Sequence, residues 1–415
     1  MKQIDILMVG IGGYGAKYVN ELLGEGMRPE YEPYRVVGAV QPKDAVCATR
    51  QLFVDKDIPL YETIDEFYQN HKADFAVIST PIFLHREHVE LCISNGSNVL
   101  CEKPLCTSIE DTLVMKRLAE ESGLKIFIGY QLSYARGMRQ LKADIAGGMF
   151  GKPISFRTLV HYPRGEKYYA RNQWAGKKTA GGGRLTLDSP LHNAVAHHLN
   201  NMLFLLGTAP DRAAMPKTIQ AETYRANPIV ENFDTVSLRL KTEDDVEVLF
   251  YTTHAIPAAA SATVGPYNVF KCENATIFHD NTANFEDFFA IFNDGRVRRY
   301  EPYFGTPPIQ KLWDCIDAIR GGAMPASTVQ AAIPEVLCVN AVTLCREVKK
   351  IEDKYIEFVG DIPGERFTKI EGLQDGLMRC FDECKLLSEI DLPWAEPAQE
   401  VEVSRVFEEG FSPLM

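Results

Sequence analysis

Residues 4–15 read IDILMVGIGGYG, and this stretch decides how the chain begins to fold. Its first half, Ile4–Val9, is mostly apolar and predicts a buried strand. Four glycines follow at once, at positions 10, 12, 13 and 15, and a helical pattern continues to Leu23. A strand, a glycine-rich turn and a helix in this order predict the first βα unit of an α/β domain.

The same alternation continues to about residue 130. Continuous apolar strands separated by helices are typical of a parallel sheet that is covered on both faces. Residues 1–130 are therefore predicted to form a Rossmann domain with a doubly wound parallel sheet, whose ligands bind at the carboxyl ends of the strands. Its other predicted strands are Arg35–Val40, Leu60–Tyr61, Phe75–Ser79, Asn98–Cys101 and Ile126–Gly129.

Beyond residue 130 the strand-like segments become longer, and several follow one another without a helix between them. This pattern predicts an α+β domain over residues 131–360 with a large, mostly antiparallel open sheet. Helical patterns near residues 308–320 and 328–347 are assigned to this second domain. Residues 361–415 are predicted to be a C-terminal extension that packs back.

Composition excludes several classes of protein. The 415 residues carry 44 Lys and Arg against 56 Asp and Glu, a net charge of −12, which disfavours nucleic acid as a partner. Without a signal peptide or a run of about 18 uncharged apolar residues, no membrane partner and a cytoplasmic location are expected. Ten cysteines in a chain of this length do not make a disulfide framework, and no motif supplies a full set of metal ligands, so no metal is expected.

The glycine loop fits the G-x-G-x-x-G pattern of dinucleotide-binding turns. Gly10 would permit the tight turn, Gly12 the approach of a diphosphate, and Gly15 the close packing of helix on strand. The second strand ends at Gln41 instead of an acidic residue, and Lys43 follows. Gln41 can hydrogen-bond a ribose, while Lys43 can meet a 2′-phosphate or simply be solvated. The predicted cofactor is NAD or NADP, with a slight preference for NADP.

Two tripeptides follow the fourth and fifth strands, where strand ends would meet a cofactor. In Ser79-Thr80-Pro81, the proline can shape a turn against a flat nicotinamide ring. In Glu102-Lys103-Pro104, the lysine can direct a cation at a substrate oxygen. Either tripeptide alone is generic, and a lysine at a strand end is commonly a surface charge.

Together these segments resemble the Gfo/Idh/MocA oxidoreductase family. The resemblance rests on GIGGYG, STPIFLH, NVLCEKP and KIFIGYQ, and on three glycines at 181–183 followed by LDSPLH at 187–192. It covers roughly residues 1–350 and implies a Rossmann domain that binds NAD(P) and a second domain whose sheet also serves association. It implies a catalytic trio of Lys103, Asp188 and His192. The predicted cofactor-binding residues are Gly10, Ile11, Gly12, Gly13, Tyr14, Gly15, Gln41, Lys43, Thr80, Pro81, His85, Glu102 and Lys103.

The residues themselves suggest how the trio would work. Asp188 and His192 are four positions apart, so on a helix they would share one face. A carboxylate beside an imidazole fixes its tautomer, and His192 could then accept a hydroxyl proton while Lys103 stabilises the oxygen. His197 is the alternative base. A loop rich in aromatic and cationic residues could hold substrate, or could merely be solvated, and the predicted substrate contacts are Tyr162, Arg164, Trp174, Asn193 and His197.

The expected activity is hydride transfer between NAD(P) and a carbinol or carbonyl carbon of a sugar, polyol or related carbohydrate-like compound. Three alternatives remain open: an NAD-dependent glycosidase on the same fold, a non-catalytic cofactor-sensing protein, and an interaction protein with a vestigial pocket. The second sheet suggests a homodimer or homotetramer.

Overall fold

The computed structural model describes residues 2–45, 47–258, 265–280, 285–302 and 305–408. Contacts within the chain define two compact units. The first unit comprises residues 1–135 and 306–333, and the second comprises residues 136–305 and 334–415. Each unit is described by itself below.

The first unit contains the predicted doubly wound parallel sheet. Its strand order is β3-β2-β1-β4-β5-β6, and all neighbours are parallel. This order changes direction between β1 and β4, and such a switch point is where open α/β sheets bind ligands. The strands are β1 (Ile4–Val9), β2 (Tyr34–Val40), β3 (Leu60–Tyr61), β4 (Phe75–Ile78), β5 (Asn98–Cys101) and β6 (Ile126–Ile128). The helices are α1 (Gly15–Leu23), α2 (Arg50–Asp55), α3 (Ile64–Tyr68), α4 (His85–Ser94) and α5 (Ile109–Glu121).

The second unit contains a ten-stranded sheet within the described part of the chain, mostly antiparallel as predicted. Its order is β16-β15-β14-β13-β7-β12-β11-β10-β17, with β20 also paired to β10. The strands of this unit are β7 (Pro153–His161), β8 (Thr179–Ala180), β9 (Arg184–Leu185), β10 (Pro216–Arg225), β11 (Thr235–Thr242), β12 (Glu247–Thr253), β13 (Tyr267–Cys272), β14 (Ala275–Asp280), β15 (Phe285–Phe292), β16 (Val297–Arg299), β17 (Lys349–Lys350), β18 (Ile356–Ile362), β19 (Glu365–Ile370) and β20 (Glu400–Glu402). The remaining helices of the chain are α6 (Arg136–Ala146), α7 (Glu166–Ala170), α8 (Ala196–Leu206), α9 (Gln310–Ile319), α10 (Val329–Cys345), α11 (Leu373–Glu383) and α12 (Arg405–Glu408).

Helix α9 belongs to the first unit, whereas the sequence pattern had assigned it to the second domain. Its buried face, with Leu312, Trp313 and Ile316, joins the same core as the strand residues Ile4 and Ile6. The Trp313 ring also stacks on Tyr31 with centroids 4.6 Å apart. The chain thus returns to complete the first core, and no local pattern signals such a return.

Strand β10 was not predicted, because a buried carboxylate interrupts its apolar pattern. Glu222 is fully buried in this strand and accepts hydrogen bonds from Tyr224 Oη at 3.1 Å and Ser237 Oγ at 3.1 Å. It also accepts from the backbone N–H of Ser388 at 3.0 Å and from the Ser388 hydroxyl. These bonds, with the β10–β20 pairing, attach the C-terminal segment to the large sheet. Residues 409–415 of the predicted extension lie outside the described residues.

A buried lysine in α6 makes the stability of the second unit depend on pH. Lys142 is 3% exposed, its ammonium donates to the carbonyl oxygen of Arg212, and it lies 3.9 Å from the Phe204 ring centroid. Burial lowers the pKa of Lys142 from 10.5 to about 7, while the negative charge of Asp211 acts in the other direction and raises it. Between these two values the unfolded chain holds a proton that the folded chain has released, so raising the pH favours the folded state.

We therefore expect the wild type to gain stability relative to Lys142→Met as the pH rises from 7 to 9. The gain is at most about 1.4 kcal/mol per pH unit. Urea unfolding of both proteins at several pH values measures it. Lys241→Met, at an exposed lysine of the same unit, serves as the control and should show a constant difference. Parallel stability curves for wild type and Lys142→Met would contradict the prediction.

Candidate functional site

The glycine loop between β1 and α1 has the conformation that its sequence predicts. Gly10 has φ of +83°, and a Cβ there would lie 2.8 Å from the carbonyl oxygen of Ser79. A Cβ at Gly15 would overlap the carbonyl oxygen of Gly10. Both positions therefore require glycine, the first for the turn and the second for the packing of α1 on the loop.

The other two glycines leave space beside the loop. A Cβ at Gly12 would meet only Cys47 Cβ, at 3.6 Å, and a Cβ at Gly13 would have no neighbouring atom within 4 Å. The loop leads into α1, and the N–H groups of a helix N-terminus favour an anion. This open, glycine-lined start of a helix fits the diphosphate of a dinucleotide.

Gln41 and Lys43 both have protein partners. The Gln41 side-chain oxygen accepts from the backbone N–H of Ile11 at 3.0 Å, while Thr49 Oγ1 donates to the carbonyl oxygen of Ile11 at 2.6 Å. Gln41 therefore helps to hold the glycine loop. The Lys43 ammonium lies 3.1 Å from Glu62 Oε1, with 85% of the lysine side chain exposed.

Glu102 forms a buried anchor beneath Lys103. Its Oε1 accepts from Tyr18 Oη at 2.5 Å and from Lys311 Nζ at 2.5 Å. Its Oε2 accepts from the backbone N–H of Lys103 at 3.2 Å, and Lys311 also donates to the carbonyl oxygen of Gly129 at 3.1 Å. Glu102 thus fixes the backbone that carries Lys103. Sequence reasoning missed Lys311. The available signal was its position among the apolar residues on the buried face of α9, where a lysine needs a partner.

His85 connects the two strand-end turns. It is 1% exposed, with Nδ1 2.8 Å from the carbonyl oxygen of Pro104 and Nε2 3.0 Å from that of Thr80. Burial lowers the pKa of His85, so the ring is neutral near pH 7 and donates to one carbonyl at a time. Its contacts hold the turn that contains Pro81 next to the turn that follows Lys103.

Asp188 lies just before a short helical turn, Pro190–Ala194, whose N-cap is Ser189. The Asp188 carboxylate is 2% exposed and accepts from the backbone N–H of Gly176 at 2.6 Å and from Asn193 Nδ2 at 2.7 Å. Burial raises the pKa of Asp188, and these two hydrogen bonds oppose that shift. The expectation that Asp188 and His192 share a helix face was wrong, because Asp188 lies outside the helical turn.

The carboxylate that contacts His192 belongs to Glu335 instead. His192 Nδ1 lies 3.4 Å from Glu335 Oε1, and both residues are fully buried. His192 Nε2 and Glu335 Oε2 are buried without a hydrogen-bond partner among the described residues. A carboxylate that accepts the Nδ1 proton leaves Nε2 free to accept another. Sequence reasoning missed Glu335, although it is the single charged residue of helix α10.

The aromatic and cationic loop forms a stack of rings and guanidinium groups. The Arg164 guanidinium lies 3.9 Å from the Tyr162 ring centroid and 4.5 Å from that of Tyr168. The Arg171 guanidinium lies 3.6 Å from the Tyr168 centroid and 5.5 Å from the Trp174 centroid. Among the other predicted substrate residues, Asn193 is bonded to Asp188 and His197 is half-buried in α8.

All ten cysteines are free thiols. Across the described ranges, no cluster of three or more His, Cys, Asp or Glu residues is arranged to hold a metal. No helix in those ranges has both the length and the apolar character needed to cross a membrane.

Comparisons with known proteins agree with this fold. The chain is 29% identical over 217 residues to 2,7-anhydro-N-acetylneuraminate hydratase of Mediterraneibacter gnavus, covering 52% of each protein. It is 22% identical over 260 residues to scyllo-inositol 2-dehydrogenase (NADP(+)) of Bacillus subtilis, covering 62% of this chain and 65% of that protein. The chain thus spans about half to two thirds of the length of these curated relatives.

A solved structure shows the same fold. The WlbA dehydrogenase of Bordetella pertussis, in complex with NADH and UDP-GlcNAcA, superimposes with a TM-score of 0.64 at 17% identity, covering 82% of this chain and 95% of that one. The model of the Gfo/Idh/MocA oxidoreductase family, NAD-binding Rossmann fold, matches residues 4–130, and the model of the family's C-terminal domain matches residues 138–275. The chain therefore belongs to the Gfo/Idh/MocA family of oxidoreductases.

Proposed function

We propose that this protein is an NAD(P)-dependent dehydrogenase or reductase that acts on a CH–OH group of a sugar, polyol or related compound. The observation that carries the proposal is the buried His192–Glu335 pair, whose unpartnered Nε2 is suited to accept a proton. The names of the relatives support the substrate class, since one acts on an anhydro sugar acid and another on an inositol.

The chain's own residues would divide the work of oxidising an alcohol. The loop 10–15, Gln41 and the Thr80–Pro81 turn would hold the dinucleotide, whose oxidised nicotinamide supplies the acceptor for the hydride leaving the carbinol carbon. His192 Nε2 accepts the hydroxyl proton as the C–O bond becomes a carbonyl. The Lys103 ammonium stabilises the negative charge that develops on that oxygen.

Glu335 and Asp188 would support His192 in different ways. Glu335 holds the Nδ1 side of the ring and balances the imidazolium that forms once the proton has moved. Asp188 adds a second negative charge nearby and fixes the loop through Gly176 and Asn193. In the reduction direction, His192 returns the proton to the substrate oxygen. His197 remains the alternative base.

The proposal includes a preference for NADP, supported by Lys43. Its ion pair with Glu62 is exposed, and exposed pairs contribute only about 0.2–1 kcal/mol, so a 2′-phosphate can compete for the lysine. We expect Lys43→Met to raise KM for NADP+ about 10-fold, because a charge-assisted hydrogen bond is lost, and to leave KM for NAD+ nearly unchanged. Steady-state kinetics with both cofactors measures this, with Lys56→Met as the control. Equal changes in both KM values would exclude Lys43 from 2′-phosphate recognition.

A second candidate function is a reaction without net redox change, in which a transient oxidation allows elimination or addition of water before the substrate is reduced again. It is favoured by the first relative described above, which is a hydratase. NAD-dependent glycoside cleavage belongs to the same class. A cofactor sensor would not need the combination of Lys103, Asp188 and His192.

The decisive experiment is a panel of sugars, polyols and sugar acids with NAD+ and NADP+, followed at 340 nm and by product analysis. Net reduced cofactor with at least one substrate supports the dehydrogenase. Product formation that needs catalytic NAD without net reduced cofactor supports the second candidate. Cofactor binding in a thermal-shift assay without any turnover would point to a sensor. Size-exclusion chromatography with light scattering tests the proposed homodimer or homotetramer.

A further inference from the structure

Two arginines near Asp188 lie in a stack that we call the cation–aromatic stack, composed of Tyr162, Arg164, Tyr168, Arg171 and Trp174. Each guanidinium lies within 4.0 Å of one ring centroid and within 5.5 Å of a second. Stacking on rings holds a guanidinium in place while its N–H groups at the edge remain able to donate. The stack therefore presents two oriented cations.

Several other arginines of the same unit form ion pairs with carboxylates. Arg239 pairs with Glu389 at 2.7 Å, Arg298 pairs with Asp144 at 2.6 Å, and Arg366 pairs with Glu166. Among the described residues, neither Arg164 nor Arg171 has a carboxylate within ion-pair distance. Arg164 is half-buried and Arg171 is exposed. A guanidinium that is held in place without a carboxylate partner is a suitable binding element for an anion.

Two buried nitrogen atoms beside the stack also lack partners in the described part of the chain. They are Arg164 Nε and Nε2 of His254, a residue that is 3% exposed. The other ring nitrogen of His254 lies 2.9 Å from Tyr169 Oη. Burial lowers the pKa of His254, and the charges of Arg164 and Arg171 lower it further. A neutral His254 can add a hydrogen bond without adding charge.

The stack is held close to the candidate catalytic residues of the second unit. The loop that follows Arg171 turns back so that the N–H of Gly176 donates to Asp188. Asp188 is in turn bonded to Asn193, the neighbour of His192. The positive charge of Arg171 also reaches Asp188 and opposes the rise of its pKa. A substrate whose oxygen contacts His192 would therefore have its distal groups near the two arginines.

We propose that the substrate carries an anionic group, a carboxylate or a phosphate, and that Arg164 and Arg171 bind it. This inference rests on the proposed function, because it concerns the substrate of that reaction. Arg171 already donates one N–H to the carbonyl oxygen of Tyr168 at 2.6 Å, and its other N–H groups are available to a ligand. A neutral sugar or polyol can offer hydroxyl acceptors but would leave both guanidinium groups without a counter-charge. The anion supplies that charge, and it orients the hydroxyl-bearing carbon at the other end.

Binding measurements on the full-length protein test the proposal without relying on turnover. The probes are D-glucose, D-glucuronate and D-glucose 6-phosphate, which differ in the presence and type of the anionic group. Calorimetry gives the affinity with and without NADH, and Trp174, 5.5 Å from Arg171, provides a fluorescence signal. We expect at least one anionic probe to bind about 10- to 100-fold more tightly than glucose. The better of the two anions identifies the group as carboxylate or phosphate.

Variants at the two arginines separate recognition from structural support. Arg171→Met and Arg164→Met should each weaken binding of the preferred anion by about 10-fold or more and leave that of glucose unchanged. Arg171→Lys should retain part of the affinity, since it keeps the charge. The matched control, Arg366→Met, removes one charge from an arginine that has its own carboxylate partner, and it should not alter binding.

Three results would overturn the inference. The first is that glucose and the two anions bind with equal affinity. The second is that the arginine variants lose as much affinity for glucose as for the anions. The third is that neither anion shows binding that depends on the arginines. Arginine-dependent anion binding without hydride transfer would instead sustain the inference and count against the proposed function. Hydride transfer from neutral sugars that is insensitive to substitution of both arginines would support the proposed function and contradict the inference.

Discussion

We expect His192→Ala to lower kcat by about 100- to 10,000-fold and to leave the affinity for NADH unchanged. The substitution removes the nitrogen that we propose accepts the substrate proton. Because that interaction forms only during the chemical step, kcat should fall while cofactor binding should not change. Stopped-flow and steady-state measurements at 340 nm give kcat, while fluorescence titration gives the NADH affinity. Circular dichroism checks that the variant is folded, because the removed ring is fully buried.

Glu335 and His197 provide the matched comparisons for this result. Glu335→Gln keeps the shape of the side chain but removes its charge, so it should lower kcat with little change in KM. Glu335→Asp should restore part of the loss. His197→Ala should keep most of the activity. A large loss in His197→Ala, with near-normal turnover in His192→Ala, would identify His197 as the base.

Lys103→Ala is expected to lower kcat by about 100- to 1,000-fold. The loss would follow from removing the cation that we propose stabilises the substrate oxygen as its charge develops. Lys103→Arg keeps the charge on a longer, planar group and should restore only part of the rate, because a planar fork does not replace a compact ammonium. The NADH affinity should change little in either variant.

The control for this prediction is Lys72→Ala, which removes an exposed lysine from the same unit. Kinetics with the best substrate of the panel, together with an NADH titration, distinguish the two proposed roles of the residue. A rise in the dissociation constant of NADH with normal kcat would mean that Lys103 serves cofactor binding alone. Unchanged turnover would remove it from the mechanism.

Local patterns predicted much of the first unit. The limits of β1, β3 and β5 agree with the predicted ranges, and Ser108 caps α5 as expected for a serine before a helix. The glycine loop was equally predictable, because a turn with positive φ at Gly10 and a close approach at Gly15 leave glycine as the residue that fits. The roles of Lys103, Asp188 and His192 in catalysis stay predictions.

Partners that are distant in sequence could not be predicted in this way. Glu335 meets His192 from 143 positions away, and Lys311 meets Glu102 from 209 positions away. The apolar surroundings of Glu335 in α10 marked it as unusual, but they did not indicate which residue it contacts. For the same reason, the sequence placed α9 in the wrong unit.

The sequence by itself therefore determined the strands, helices and glycine turn of the nucleotide-binding half, and the family to which the chain belongs. These features depend on side-chain periodicity and on backbone conformations that are set within a few residues. Only the tertiary structure decided that Glu335 is the partner of His192 and that Lys311 and Tyr18 hold Glu102. It also decided that no carboxylate of the described residues lies within ion-pair distance of Arg164 or Arg171. Such pairings depend on how distant segments pack and exclude water, which no local pattern encodes.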